Sequence, residues 1–172
     1  SNAWVSSNTF VATIDSTSLV SGLSAGTTSI TYTNSNGCQR VVSFTVNALP
    51  TITGTLTICA GSTTQLTGSA TAAISNAWVS SNTSVATISN TGLVTGVGAG
   101  NTTITYTNSN GCQFTASVFV NALPVITGTL NVCIGSTRQL TGSATAATSN
   151  AWVSSDTSVA TVDNLGLVTG VG

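Results

Sequence analysis

The sequence predicts an all-β protein made of tandem two-sheet antiparallel sandwiches, with about seven strands in each repeat. Three observations carry that expectation. Thr, Ser, Asn, Gly, Val and Ala dominate the chain, which pairs β-branched strand formers with the Gly and Asn of tight turns. Short alternating apolar–polar runs recur about every 8–12 residues, and no segment carries a helical period. The chain also repeats itself with a period of 74: Trp4, Trp78 and Trp152 share that spacing, as do Cys38 and Cys112, Cys59 and Cys133, and Pro50 and Pro124. Residues 75–98 and 149–172 agree at 20 of 24 positions, and residues 25–74 and 99–148 at 37 of 50. A period this long exceeds the roughly 20–50 residues of solenoid repeats and suits one small sandwich per repeat.

Domain boundaries follow from Asn47-Ala-Leu-Pro50 and its copy Asn121-Ala-Leu-Pro124. Pro50 and Pro124 each fix φ, remove a ladder donor and hold the preceding residue extended, as a short stiff linker requires. On that phasing 51–124 is a complete repeat, 1–50 the C-terminal part of one, and 125–172 the N-terminal part of another. The end pieces are expected to lack strands. The chain is accordingly expected to be a segment of something longer, or to have its ends completed by neighbouring chains. Ser1-Asn2-Ala3 looks like a tag-removal scar but returns at Ser75 and Ser149, so it is native.

Within 51–124 the strand signals come in order. Ile52 to Ile58 reads as the first strand, closed by Ala60-Gly61-Ser62, and Thr63 to Ser69 as the second, with Leu66 inward. Ser75 to Ser81 is the third and carries Trp78. Val85 to Ser89 and Leu93 to Val97 are short and joined by Asn90-Thr91-Gly92. Thr102 to Thr107 alternates, with Ile104 and Tyr106 on one face. Asn108-Ser109-Asn110-Gly111 is a hairpin signal, and Cys112 to Asn121 is the last strand, with Phe114, Ala116, Val118 and Val120 sharing a face.

Composition then narrows function. Five residues are charged (Asp15, Arg40, Arg138, Asp156, Asp163), and there is no His. Two arginines cannot neutralise a row of phosphates, which argues against nucleic acid. Three Asp without Glu or His offer little general acid–base chemistry, so an enzyme is not expected. Metal-ligand clusters are missing and no cofactor is implied. No apolar run approaches the roughly 18–20 residues of a membrane-spanning helix.

At this point the residues carry a resemblance. Trp78-Val-Ser-Ser-Asn-Thr-Ser-Val-Ala-Thr-Ile-Ser-Asn-Thr-Gly-Leu-Val-Thr-Gly-Val97, followed by Ala-Gly-Asn-Thr-Thr-Ile104, resembles the bacterial immunoglobulin-like domain of group 2. Every repeat carries the motif. The resemblance implies immunoglobulin-like sandwiches of the kind found in bacterial surface adhesins, mostly as stalk units. The Cys pair and the Asn-Ala-Leu-Pro link look like repeats of large secreted surface proteins of the Bacteroidetes type.

Candidate sites are few. Trp4, Trp78 and Trp152 are expected in the sandwich cores, with Tyr32 and Tyr106 facing the same cores and their hydroxyls at a rim. Exposed Trp for sugar binding is the rival reading. Cys38, Cys59, Cys112 and Cys133 could be free, metal-bound or paired, and a secreted chain favours disulfides. Cys59 and Cys112 fall at opposite ends of their domain, roughly 20 Å apart, against the ~5.5–6 Å between Cα atoms that a bridge needs. An inter-domain or inter-chain pairing is favoured, with the connectivity open. Thr103, Thr105 and Thr107, like Ser29, Thr31 and Thr33, line an outer face that suits a neutral solvent surface or an ice-ordering one. Asn82 and Asn101 stand in sequons, and Ser16, in Asp15-Ser16-Thr17, resembles a Bacteroidetes-type O-glycosylation motif; all three are candidate glycosylation sites. Gly96-Val-Gly-Ala-Gly100 precedes a strand, which dismisses phosphate cradling.

The expected function is a structural repeat of an extracellular filament or giant cell-surface adhesin stalk, bearing load and polymerising through β-association. A glycan- or ice-binding surface module is the alternative. Expected partners are neighbouring repeats, copies of the chain in a fibre and a surface glycan. The scarcity of charge leaves little to keep copies apart.

Overall fold

The computed structural model describes residues 3–172, and these form strands and turns without a helix. Two compact units are present, one ending at Asn121 and the other running from Ala122 to Gly172.

The first unit opens with β1 (Trp4–Ser6), β2 (Ala12–Ile14), β3 (Val20–Gly22), β4 (Gly26–Thr33) and β5 (Gln39–Val46). These make a β1-β4-β5 sheet and a β2-β3 ribbon. The complete repeat follows with β6 (Ile52–Thr53), β7 (Thr57–Cys59), β8 (Thr63–Gln65), β9 (Thr67–Gly68), β10 (Trp78–Ser80), β11 (Ala86–Ile88), β12 (Leu93–Gly96), β13 (Gly100–Thr107) and β14 (Gln113–Asn121). Its two layers are a four-stranded β10-β13-β14-β7 sheet and a three-stranded β11-β12-β8 sheet, with β6-β9 as a small ribbon. The chain is therefore an all-β, immunoglobulin-like sandwich protein.

The expected first strand is two strands. Gly54, at φ +127°, breaks the run between β6 and β7, so that β6 pairs with β9 while β7 crosses to run parallel to β14. A Cβ at Gly54 would lie 2.6 Å from the Gln65 carbonyl oxygen, so both the turn and the close approach demand glycine. Leu66, between β8 and β9, is buried as its place in the pattern requires. β13 and β14 form the longest ladder, from Gly100↔Val120 to Thr107↔Gln113. Its inner face supplies Ile104, Tyr106, Val118 and Val120 to a core shared with Ile58, Leu66, Trp78 and Val94. At about 25 cal/mol per Å² of apolar surface buried, such side chains each contribute roughly 1.5–3 kcal/mol.

The second unit contains β15 (Ile126–Thr127), β16 (Thr137–Gln139), β17 (Thr141–Gly142), β18 (Ala160–Val162) and β19 (Leu167–Gly170). They form a β15-β17 ribbon and a β16-β19-β18 sheet, repeating β6, β8, β9, β11 and β12 one period later.

Candidate functional site

Trp78 and Tyr106 face each other across β10 and β13, with ring centroids 4.5 Å apart at 40°. Trp4 and Tyr32 repeat this arrangement across β1 and β4 at 4.5 Å and 38°. Alternation places each ring on the inner face, and such tilted aromatic pairs add to simple burial. The surroundings differ. Tyr106 is 2% exposed, and its hydroxyl donates to the Ala70 carbonyl at the rim; Tyr32 is 39% exposed. Trp78 is buried, whereas Trp4 and Trp152 are half-buried.

Gly68 explains how Tyr106 is seated. A Cβ there would lie 2.2 Å from Tyr106 Cζ, so the ring lies flat on bare backbone. Gly142 is the same residue one period on. Its Cβ would meet only Trp152 Cζ2, at 3.7 Å. In the second unit this position borders an open cleft of about 640 Å³ lined by Ile126, Leu140, Gly142, Ala151, Trp152 and Leu165. Residues 152–154 make no ladder there, although the identical Trp78–Ser80 is strand β10.

The outer face of the β13–β14 ladder carries Thr103, Thr105 and Thr107 opposite Ser117, Thr115 and Gln113. On β4, Ser29, Thr31 and Thr33 stand opposite Ser43, Val41 and Gln39. These rows are partly or fully exposed and uncharged. Thr102 and Thr28, the inward members of the same strands, have a separate task. Thr102 Oγ1 accepts from the Asn82 amide at 3.0 Å and bonds Ser80 Oγ at 3.0 Å, and Thr28 repeats this with Asn8 and Ser6. Sequence reasoning missed this tie. The signal lay in Ser-Ser-Asn at 6–8 and 80–82 recurring in phase with the two threonines.

All four cysteines are free thiols, and Cys38, Cys59 and Cys133 are exposed. The disulfide expected from a secreted context is thus not formed in the chain. Cys59 sits in register with Asn121 at one end of β14, and Cys112 precedes Gln113 at the other. At ~3.3 Å per residue the strand holds them about 30 Å apart. Asn108, 2% exposed, closes the hairpin beside Cys112, its Oδ1 accepting from the Asn110 and Cys112 amides at 3.0 Å each.

Pro50 is fully buried and Pro124 exposed. Asn82, Asn101 and Ser16 are exposed. Asn82 Oδ1 is engaged by the Ser84 amide at 3.1 Å and hydroxyl at 2.7 Å. Asp156 repeats that turn with Ser158, whose hydroxyl, then amide, hold its carboxyl below the ordinary range. The Thr17 hydroxyl and Leu19 amide do the same for Asp15. Among the described residues no three His, Cys, Asp or Glu side chains converge to hold a metal, and no helix is long and apolar enough to cross a membrane.

These features define a tandem array of immunoglobulin-like sandwiches without a converged set of reactive groups among the described residues. The chain belongs to the bacterial Ig-like domain (group 2) family, whose model matches residues 1–46, 47–120 and 125–172. It is 30% identical over 192 residues to ice-binding protein 1 of Shewanella frigidimarina (strain NCIMB 400), an alignment covering 97% of this chain but 21% of that protein. Among solved structures it is similar to invasin, a bacterial integrin-binding protein (19% identity, TM-score 0.43, 68% of this chain and 28% of that one). It is also similar to a C-terminal fragment of intimin bound to the intimin-binding domain of its receptor (15% identity, TM-score 0.40, 67% and 47%).

Proposed function

We propose that the chain is a non-catalytic, load-bearing repeat segment of an extracellular filament or large cell-surface adhesin stalk, of the secreted type that its Cys pair and Asn-Ala-Leu-Pro links resemble. One observation carries this reading: β7, near the start of the complete repeat, runs parallel to its last strand, β14, with Phe119, Val120 and Asn121 in register with Thr57, Ile58 and Cys59. In that arrangement, tension applied through the two ends of the repeat shears several hydrogen bonds together instead of peeling them one at a time. The Phe119 amide donates to the Leu56 carbonyl at 2.8 Å, and the Ala60 amide to the Asn121 carbonyl at 2.9 Å. The uncharged surface supports close packing with neighbouring copies or cover by surface glycan.

Single-molecule pulling tests it. The complete repeat is expected to rupture in one event that releases about 250 Å of chain, at ~3.6 Å per residue. Ala60→Pro, which deletes one donor of the shear ladder, is expected to lower the rupture force. Extension without a resolved event, or a force indifferent to Ala60→Pro, would overturn the proposal.

A second reading has its own support, namely the Thr-rich outer face of β13 and β14 together with the ice-binding relative. On this reading the face orders water against ice or meets glycan. Thermal hysteresis that disappears in Thr103→Lys/Thr105→Lys would favour it over the stalk, and absence of hysteresis would remove the ice reading.

A further inference from the structure

We infer that the outer face of the β10-β13-β14-β7 sheet is a lateral docking surface for the same face of a second copy of this chain. The inference rests on the structural-repeat reading and names the surface through which such arrays pack side by side. Alternation along β13 and β14 sends Ile104, Tyr106, Val118 and Val120 to the core, so Thr103, Thr105, Thr115, Ser117 and Phe119 face away from it. Val79 on β10 and Thr57 on β7 extend this face, in register with Thr105 and Phe119. Val79 is 48% exposed and Phe119 43%, and both stand above Ser and Thr neighbours. Such relief suits interdigitation with a second sheet about 10 Å away better than contact with a flat lattice.

Three observations select a copy of the chain as the occupant. The first is charge. The five charged residues lie at 15, 40, 138, 156 and 163, outside all four strands. A face that meets its own copy sets like charge against like, so a neutral face is what self-packing requires. The second is recurrence. On β4 and β5, Thr27↔Thr45, Ser29↔Ser43 and Thr31↔Val41 hold the register positions of Asn101↔Phe119, Thr103↔Ser117 and Thr105↔Thr115, and Val5 takes the place of Val79. A face that returns with the 74-residue period is matched position for position by another array of the same period.

The third is area. At ~4.8 Å between strands and ~3.3 Å per residue, the outer face of one repeat covers roughly 350 Å². A stable interface needs about 800 Å² from each partner. A single repeat therefore associates weakly, and the faces of successive repeats on one chain add as linked contacts. Because both partners use the same patch, the contact is isologous.

Sedimentation equilibrium of the 172-residue chain under reducing conditions tests this. Association that rises with concentration is expected for the wild type. Thr115 and Ser117 are exposed, so Thr115→Lys/Ser117→Lys is expected to leave circular dichroism unchanged. It sets lysines against lysines across the contact and is expected to weaken association by at least about tenfold. Thr115→Glu/Ser117→Glu alone is expected to do the same, and an equimolar mixture of the Lys and Glu chains to associate again. Thr87→Lys, on the exposed side of β11, adds its charge to the other sheet and is expected to associate as the wild type does. Four outcomes would overturn the inference: a wild type monomeric at every concentration, a Lys variant that associates like the wild type, a mixture no stronger than its components, or equal loss in Thr87→Lys. Thermal hysteresis from a chain that stays monomeric would assign the face to ice instead. The pulling experiment reads the mechanical strength of one repeat, so the two readings fail separately.

Discussion

Tyr106 and Gly68 show how one pair of residues organises a core. The ring is immobilised between Trp78, at a 4.5 Å centroid distance, and the Gly68 backbone, while its hydroxyl is held by Ala70. A methyl group at Gly68 has nowhere to go, so Gly68→Ala is expected to destabilise the complete repeat by about 1–3 kcal/mol. Gly142→Ala, beside open space, is expected to cost far less. Urea denaturation of the two variants makes the comparison. The carboxylates offer a second test at this scale. Asp156 is held below its ordinary range by Ser158. A carboxyl depressed in the folded state stabilises above its unfolded value and loses that contribution as pH falls through the folded one. The turn at 156–158 is therefore expected to weaken only below about pH 4. Asp156→Asn reproduces the neutral Asn82 turn and is expected to abolish that dependence, which NMR titration of the Ser158 amide would follow.

At the scale of elements, β14 decides the cysteine chemistry. It is a single continuous strand with Cys59 in register at its end and Cys112 before its start, so no rotamer change brings the two sulfurs together. Oxidation of the folded chain is expected to yield no Cys59–Cys112 peptide from the monomer band of a non-reducing gel, and recovery of that peptide from monomer would mean that β14 opens. Gly54 acts at the same scale. It converts one extended run into two strands in different sheets, and the parallel β7–β14 pairing exists only because of that switch. The alternation around Ile52 and Ile58 was legible, but the switch was not, since a glycine in a Thr-rich strand looks the same whether the chain bends or runs on.

At the scale of the whole molecule, the same sequence module has three environments. The complete repeat buries its core under β13 and β14, whereas Val159, Leu140 and Trp152 are more exposed than their counterparts Val85, Leu66 and Trp78, and Phe44 and Val42 more than Val118 and Ala116. Stability should follow the covering. In hydrogen exchange, amides of β13 and β14 are expected to be the most protected, and those of β16, β18 and β19 the least, despite near-identity of β18–β19 with β11–β12. Equal protection of β11–β12 and β18–β19 in monomeric protein would contradict this. The sparse charge belongs to this scale too, because five charges across 172 residues leave wide uncharged faces.

The sequence by itself determined the 74-residue repeat, the all-β class, the hairpin at Asn108–Gly111, and the inward faces of β13 and β14. Each of these is local, written in residue spacing and turn chemistry. The environments of the repeated residues were not legible in the same way. Gly68 and Gly142 are identical letters in identical contexts, as are Trp78 and Trp152, yet one of each pair lies under a hairpin and the other beside a cleft. Only the tertiary structure separates them, because burial depends on which strands lie above a residue, and strands far along the chain supply that cover.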